Sequence, residues 1–98
     1  MKEKDFQAQV IRIAKALGWL IYHTYDSRRS EPGFPDLVMV RGDRILYREL
    51  KTEKGRLAPH QKIWGEKLSE AGADYEVWRP SMRDEICLLY TSPSPRDS

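Results

Sequence analysis

The segment Gly33–Lys51, GFPDLVMVRGDRILYRELK, carries Asp36, Glu49 and Lys51, the residue types from which a cation-assisted hydrolytic site is built. Glu49 and Lys51 are two apart, so on a strand both side chains leave one face while Leu50 points the other way, into the core. Asp36 opens the preceding apolar run. Between the two runs, Arg41-Gly42-Asp43-Arg44 reads as a tight hairpin connection in which Gly42 can take a positive φ. With Arg41 paired to Arg44, the residue opposite Asp36 is Glu49, and their Cβ atoms lie about 4.5–5.5 Å apart. Carboxylates that close repel each other and do not serve stability alone. A divalent cation between them removes the objection, and hard oxygen ligands suit Mg2+ or Mn2+. Lys51 then sits beside the cation, able to position or deprotonate an attacking water or to stabilise charge on a phosphate. This is chemistry for phosphodiester hydrolysis. Taken singly, an Asp after Pro is ordinarily a turn residue, and an acidic-x-Lys triplet is ordinarily a solvated strand face. The register is what joins them.

The elements that must position these residues are legible. Phe6, Val10, Ile13, Ala14 and Leu17 recur at helical spacing and predict a first helix over Lys2–Leu17, stopped by Gly18. Trp19–Tyr25 is aromatic and β-branched enough for a strand. A polar loop, DSRRSEPGFP, leads into the two strands of the hairpin. Their alternation is imperfect, as expected where both faces are partly covered. Thr52–Ala58 is a second polar loop, and Pro59 opens a helix that ends near Ala71-Gly72. DYEVWRP predicts a last strand stopped by Pro80, with Ser81 capping a short helix through Ile86. The order is α-β-β-β-α-β, in one domain.

Composition is that of an ordinary globular domain, 40% hydrophobic and 33% charged, and the net charge of +2 permits nucleic-acid binding without arguing for it. There is no apolar run long enough for a membrane span and no signal-peptide core, so the chain reads as intracellular. The single cysteine, Cys87, excludes an internal disulfide framework and a cysteine-rich zinc site. The last stretch, CLLYTSPSPRDS, differs in kind. Residues 87–97 resemble, in order, the translation of a transposase end sequence joined to a sequencing adapter. Residues 87–98 are therefore expected to be a non-native, adapter-derived tail, and residues 1–86 the folded domain.

From about Glu3 to Ile86 the chain resembles the VRR-NUC family (virus-type replication-repair nucleases) of the PD-(D/E)XK superfamily. The resemblance rests on Gly-x-Pro-Asp ending at Asp36, Glu-x-Lys at Glu49–Lys51, the Thr-Glu-x-Gly-Arg-Leu loop, Gln61, and the late Val-Trp-Arg-Pro strand. It implies an α/β fold with an αβββαβ, restriction-endonuclease-like core, a mixed sheet flanked by helices. It also implies a Mg2+- or Mn2+-dependent endonuclease acting on branched DNA, Holliday-junction-like or flap, in replication or repair. Stand-alone members of the family resemble dimeric junction resolvases, which implies a homodimer in the cytoplasm of a prokaryotic or virus-infected cell. Asp36 and Glu49 become metal ligands, the Leu50 carbonyl a further ligand, Lys51 the catalytic lysine and Gln61 a support from the second helix. Superfamily members often add an acidic residue from the first helix. Glu3 and Gln7 share a helical face, and either can take that place or only orient a water.

Phosphate contacts are expected from Arg28 and Arg29 before the GFPD turn, from Lys54 and Arg56 after Lys51, and from His23 on the first strand. No element reads as a base-recognition helix. The competing reading is a non-catalytic nucleic-acid-binding module that keeps the fold.

Overall fold

A computed structural model describes residues 2–24 and 31–91, with side chains through Cys87. Helix α1 spans Glu3–Ala16, and Glu3 and Asp5 in its first turn favour the positive end of the helix dipole. Phe6, Val10 and Ala14 form its buried stripe. Strand β1 covers Leu20–His23, β2 Leu37–Arg41 and β3 Arg44–Leu50. Helix α2 (Pro59–Glu70) leads into β4 (Asp74–Trp78). A 3-10 turn at Pro80–Met82 then passes into α3 (Arg83–Thr91).

The sheet order is β1-β2-β3-β4. The first three strands are antiparallel, and β4 joins β3 in parallel after the α2 crossover. Gly42 turns the hairpin with φ at +60°. Arg41 pairs with Arg44 and Leu37 with Arg48, the expected register.

Side-chain alternation divides the sheet into two faces. Leu37, Met39, Leu46, Leu50 and Trp78 share one face and pack with Phe6, Val10 and Ala14 of α1 and with Ile86 of α3. The opposite face carries Val38, Tyr47, Glu49, Tyr75 and Val77 and lies under α2. There Phe34 stands edge-on to Tyr47 at 6.4 Å and to Trp64 at 5.1 Å. Tyr75 lies so close across Gly65 that any Cβ on Gly65 would meet the ring. With helices on both faces, β3 is buried along most of its length and its simple alternation is lost.

Three expectations are corrected. Strand β1 is shorter than Trp19–Tyr25: Trp19 precedes it as a buried core residue, and it ends at His23. Ser81 does not cap a helix. It lies inside the 3-10 turn, and its N–H donates to the Glu53 carboxylate. The last helix runs past Ile86 to Thr91, because RDEICLLYT contains no helix breaker before Pro93.

Candidate metal-dependent nuclease site

The site forms where β2 begins and β3 ends. The Leu37–Arg48 pair puts Asp36 and Glu49 opposite each other one step further along the same ladder. Each is also held separately. Asp36 Oδ2 accepts a 2.8 Å hydrogen bond from the Leu50 N–H, and the Asp36 carbonyl accepts one from the Thr24 N–H at 3.2 Å. Glu49 is only 1% exposed, and its Oε2 accepts a 3.1 Å hydrogen bond from Gln61 Nε2. The other end of that amide is occupied as well. Gln61 Oε1 accepts from the Ala58 N–H at 2.8 Å, which is one half of a capping box at the start of α2. Helix capping therefore determines which end of the amide faces Glu49.

The GFPD turn delivers Asp36 by packing. Gly33 has φ at +95°, and a Cβ there would come within 2.4 Å of the His60 carbonyl oxygen in the first turn of α2. Phe34 is wedged between Tyr47 and Trp64, and Pro35 is fully buried. The turn carrying Asp36 is thereby pressed against the helix that carries Gln61.

Glu3 completes the cluster from the start of α1. One carboxylate oxygen each from Glu3, Asp36 and Glu49 lie within 4.8 Å of one another. Burial and then the neighbouring Asp36 carboxylate raise Glu49 to about 9, against the opposing pull of Lys51. Burial also raises Glu3, with Lys51 opposing and Asp36 reinforcing the shift. Without a positive charge the three carboxylates cannot all ionise comfortably, and a hard divalent cation is what such an oxygen set fits.

Of the other expected residues, Lys51 is half-buried directly after β3, within electrostatic range of Glu3 and Glu49. Leu50 is wholly buried in the core. Gln7 is half-buried one helical turn beyond Glu3. Lys54 and Arg56 are exposed on the loop that follows Lys51. His23 pairs with Leu37 and so shares the α1 side of the sheet, not the side of Asp36 and Glu49. Arg28 and Arg29 lie outside the described residues.

Sequence reasoning gave no role to three residues on the elements around the site. Tyr75 lies on the α2 side of the sheet and is raised by burial, then by Glu49 and Asp36. Arg48 is buried in the core face, where it pairs with Asp74 at 2.9 Å and lies 4.9 Å over the Trp78 ring. Its only sequence signal is a charge at an inward position between Leu46 and Leu50. Arg79 binds the loop after Lys51.

A mixed sheet between helices, with an acidic cluster at the shared ends of β2 and β3, defines the PD-(D/E)XK fold class. The VRR-NUC domain model matches residues 2–82, and the chain belongs to this nuclease family. A solved VRR-NUC domain is similar at 25% identity with a TM-score of 0.74, over 93% of this chain and 97% of that one. A second VRR-NUC domain protein is similar at 22% identity and a TM-score of 0.72, over 91% of this chain and 85% of the other. The fold is also shared with Hjc of Archaeoglobus fulgidus, a Holliday junction resolvase. That likeness has 21% identity and a TM-score of 0.58, over 78% of this chain and 67% of that one. No curated protein matches.

Proposed function

We propose that the chain is a Mg2+- or Mn2+-dependent endodeoxyribonuclease that cuts branched DNA, a four-way junction or a flap, in replication or repair. The observation that carries this reading is the convergence of Glu3, Asp36 and Glu49, with Lys51 two residues beyond Glu49. The branched substrate is supported by the fold shared with a Holliday junction resolvase. The reaction belongs in the cytoplasm of a prokaryotic cell or a virus's host, and no described helix is long and apolar enough to cross a membrane.

Glu3, Asp36, Glu49 and the Leu50 carbonyl would hold the cation. When bound, it polarises the phosphate and lowers the pKa of the attacking water. To serve as a ligand, Glu49 would have to release its proton to solvent. Gln61 orients the Glu49 carboxylate through its capped amide, and the Leu50 N–H orients Asp36. The Lys51 ammonium stabilises negative charge on the phosphate or holds the water for attack. Lys54 and Arg56, with Arg28 and Arg29, neutralise flanking phosphates, which makes binding salt-sensitive. His23, on the other side of the sheet, would contribute only from the end of β1.

A homodimer is supported by an uncovered apolar row. Leu20, Val40 and Ile45 pair in line across three strands on the α2 side of the sheet, with Tyr22 beside them. Leu20 is 74% exposed and Ile45 50%. A self-complementary row of this kind suits a two-fold contact.

The test uses labelled four-way junction, flap and linear duplex with Mg2+, Mn2+ or EDTA. Metal-dependent cutting that disappears in Asp36→Ala is expected, and the preferred substrate decides junction against flap. Tight DNA binding with no cutting in either metal would overturn the enzyme reading in favour of a binding module.

A further inference from the structure

Arg79 follows β4 immediately, and its Nη1 is committed to backbone carbonyls. Nη1 donates to the Thr52 carbonyl at 2.6 Å and the Gly55 carbonyl at 2.8 Å, with the Glu53 carbonyl at 3.3 Å. Three carbonyl dipoles aimed at one point repel one another unless a cation sits among them, and charge-assisted bonds of this kind are the strong ones. The turn so gathered is closed by the Gly55 N–H on the Thr52 carbonyl at 3.2 Å and tied again by the Ser81 N–H on the Glu53 carboxylate.

The turn lies against Lys51. A Cβ on Gly55 would stand 3.5 Å from Lys51 Cδ and 2.9 Å from Thr52 Oγ1, so the Gly55 Cα itself is a near neighbour of the lysine stem, within about 5 Å of Cδ. The other end of Lys51 is also fixed from this segment, because its N–H donates to the Trp78 carbonyl at 3.0 Å. Trp78 and Arg79 are adjacent. One therefore holds the lysine's backbone, and the other holds the turn that backs its side chain.

We propose that Arg79 is a positioning residue for Lys51: by gathering the carbonyls of Thr52, Glu53 and Gly55 it holds this turn against the lysine stem and aims the ammonium at the carboxylate cluster. The catalytic consequence rests on the nuclease reading above, whereas the clamp itself does not. A lysine at position 79 keeps the charge and the donors, but its stem carries the nitrogen less far than Nη1, so it restores only part of the arrangement. A Cβ on Gly55 collides with Thr52 Oγ1 at 2.9 Å, so a side chain there forces the Thr52–Gly55 turn to shift beside the lysine stem while Arg79 itself is kept.

The experiment compares wild type, Arg79→Ala, Arg79→Lys and Gly55→Val. Cleavage of a four-way junction is measured in single turnover at saturating protein. Junction affinity is measured in Ca2+, and Mn2+ binding by calorimetry. Arg79→Ala and Gly55→Val are expected to slow the saturated rate by about tenfold to a hundredfold. Arg79→Lys is expected to lose less, and both affinities should stay within about twofold of wild type. In parallel, reductive methylation of Lys51, referenced to the exposed Lys67, should accelerate at least about threefold in Arg79→Ala. A saturated rate and a Lys51 labelling rate both unchanged in Arg79→Ala overturn the proposal. So does a loss confined to DNA or metal affinity. If Arg79→Ala does not fold, Arg79→Lys and Gly55→Val decide by the same criteria. Wild type that cuts nothing would sink the nuclease reading, and Lys51 labelling would still decide the clamp.

Discussion

Glu49 is the residue on which the electrostatics of the site turn. It is buried and faces Asp36, and burial followed by the Asp36 carboxylate pushes its carboxyl up to about 9. A carboxyl whose folded pKa is raised contributes stability that is fully present below its ordinary value near 4.5 and is lost as pH rises through the folded value. The metal-free protein should therefore melt at progressively lower temperature between about pH 5 and pH 9 from this group. Mn2+ should reverse that loss. Cation binding at pH 7 should release protons, up to about one from Glu49, and should tighten as pH rises. Calorimetry in two buffers of different ionisation enthalpy reads the proton count directly, and a count of zero would contradict the assignment. Gln61→Ala removes the amide that orients Glu49 and should weaken metal affinity or cutting by about 10–100-fold, the range for outer-shell partners. Asp36→Ala removes a proposed ligand outright and should cost more than that in the same assays, while DNA binding in Ca2+ persists.

At the scale of elements, the site depends on two packed turns rather than on the strands alone. The GFPD turn meets α2 at Gly33, where a left-handed φ coincides with a backbone approach that excludes any Cβ. Gly42 has a left-handed φ too, but open space around it. Gly42→Ala should cost only about 1–2 kcal/mol, the penalty of the backbone conformation. Gly33→Ala adds a collision with His60 and should cost about 3 kcal/mol or more in urea unfolding. It should also impair cutting, because α2 carries Gln61. Equal costs at the two positions would mean that the turn and the helix are not in the contact described. Helix α3 bears on the proposed boundary after Ile86. Ile86 is buried against the core, and the helix continues five residues into the stretch proposed to be adapter-derived, Cys87–Thr91. Helical continuity is indifferent to the origin of the residues, so it leaves that proposal standing.

For the whole molecule, the α2 face of the sheet carries three successive rows of side chains. The Asp36–Glu49 row lies at one end, the Tyr22–Val38–Tyr47 row follows, and the exposed Leu20–Val40–Ile45 row comes last. The apolar row begins about 13 Å from the carboxylates along the strands, four residues at the usual rise. Two copies joined there present two sites on one assembly, as a four-way junction with two cuts requires. Sedimentation velocity should show a dimer that Ile45→Glu converts to a monomer, with paired incisions replaced by single nicks. A wild-type monomer at micromolar concentration would remove the dimer from the proposal.

The order of elements, the hairpin register and the meeting of Asp36 with Glu49 are already written in the residues. Those depend on local periodicity and on a short turn, and Gly42 marks the turn. The sequence left open whether Glu3 or Gln7 joins the carboxylates. It placed His23 near the site without assigning it a face, and it marked Arg79 within the Val-Trp-Arg-Pro strand without giving it a role. These belong to the tertiary structure. The approach of α1 to the sheet end is a packing outcome, and it brings Glu3 within reach of Asp36 and Glu49. The contact between Arg79 and the turn after Lys51 spans more than twenty residues and is created only when β4 docks parallel to β3. Periodicity records which face a side chain takes within its own element. It does not record which distant element that face will meet.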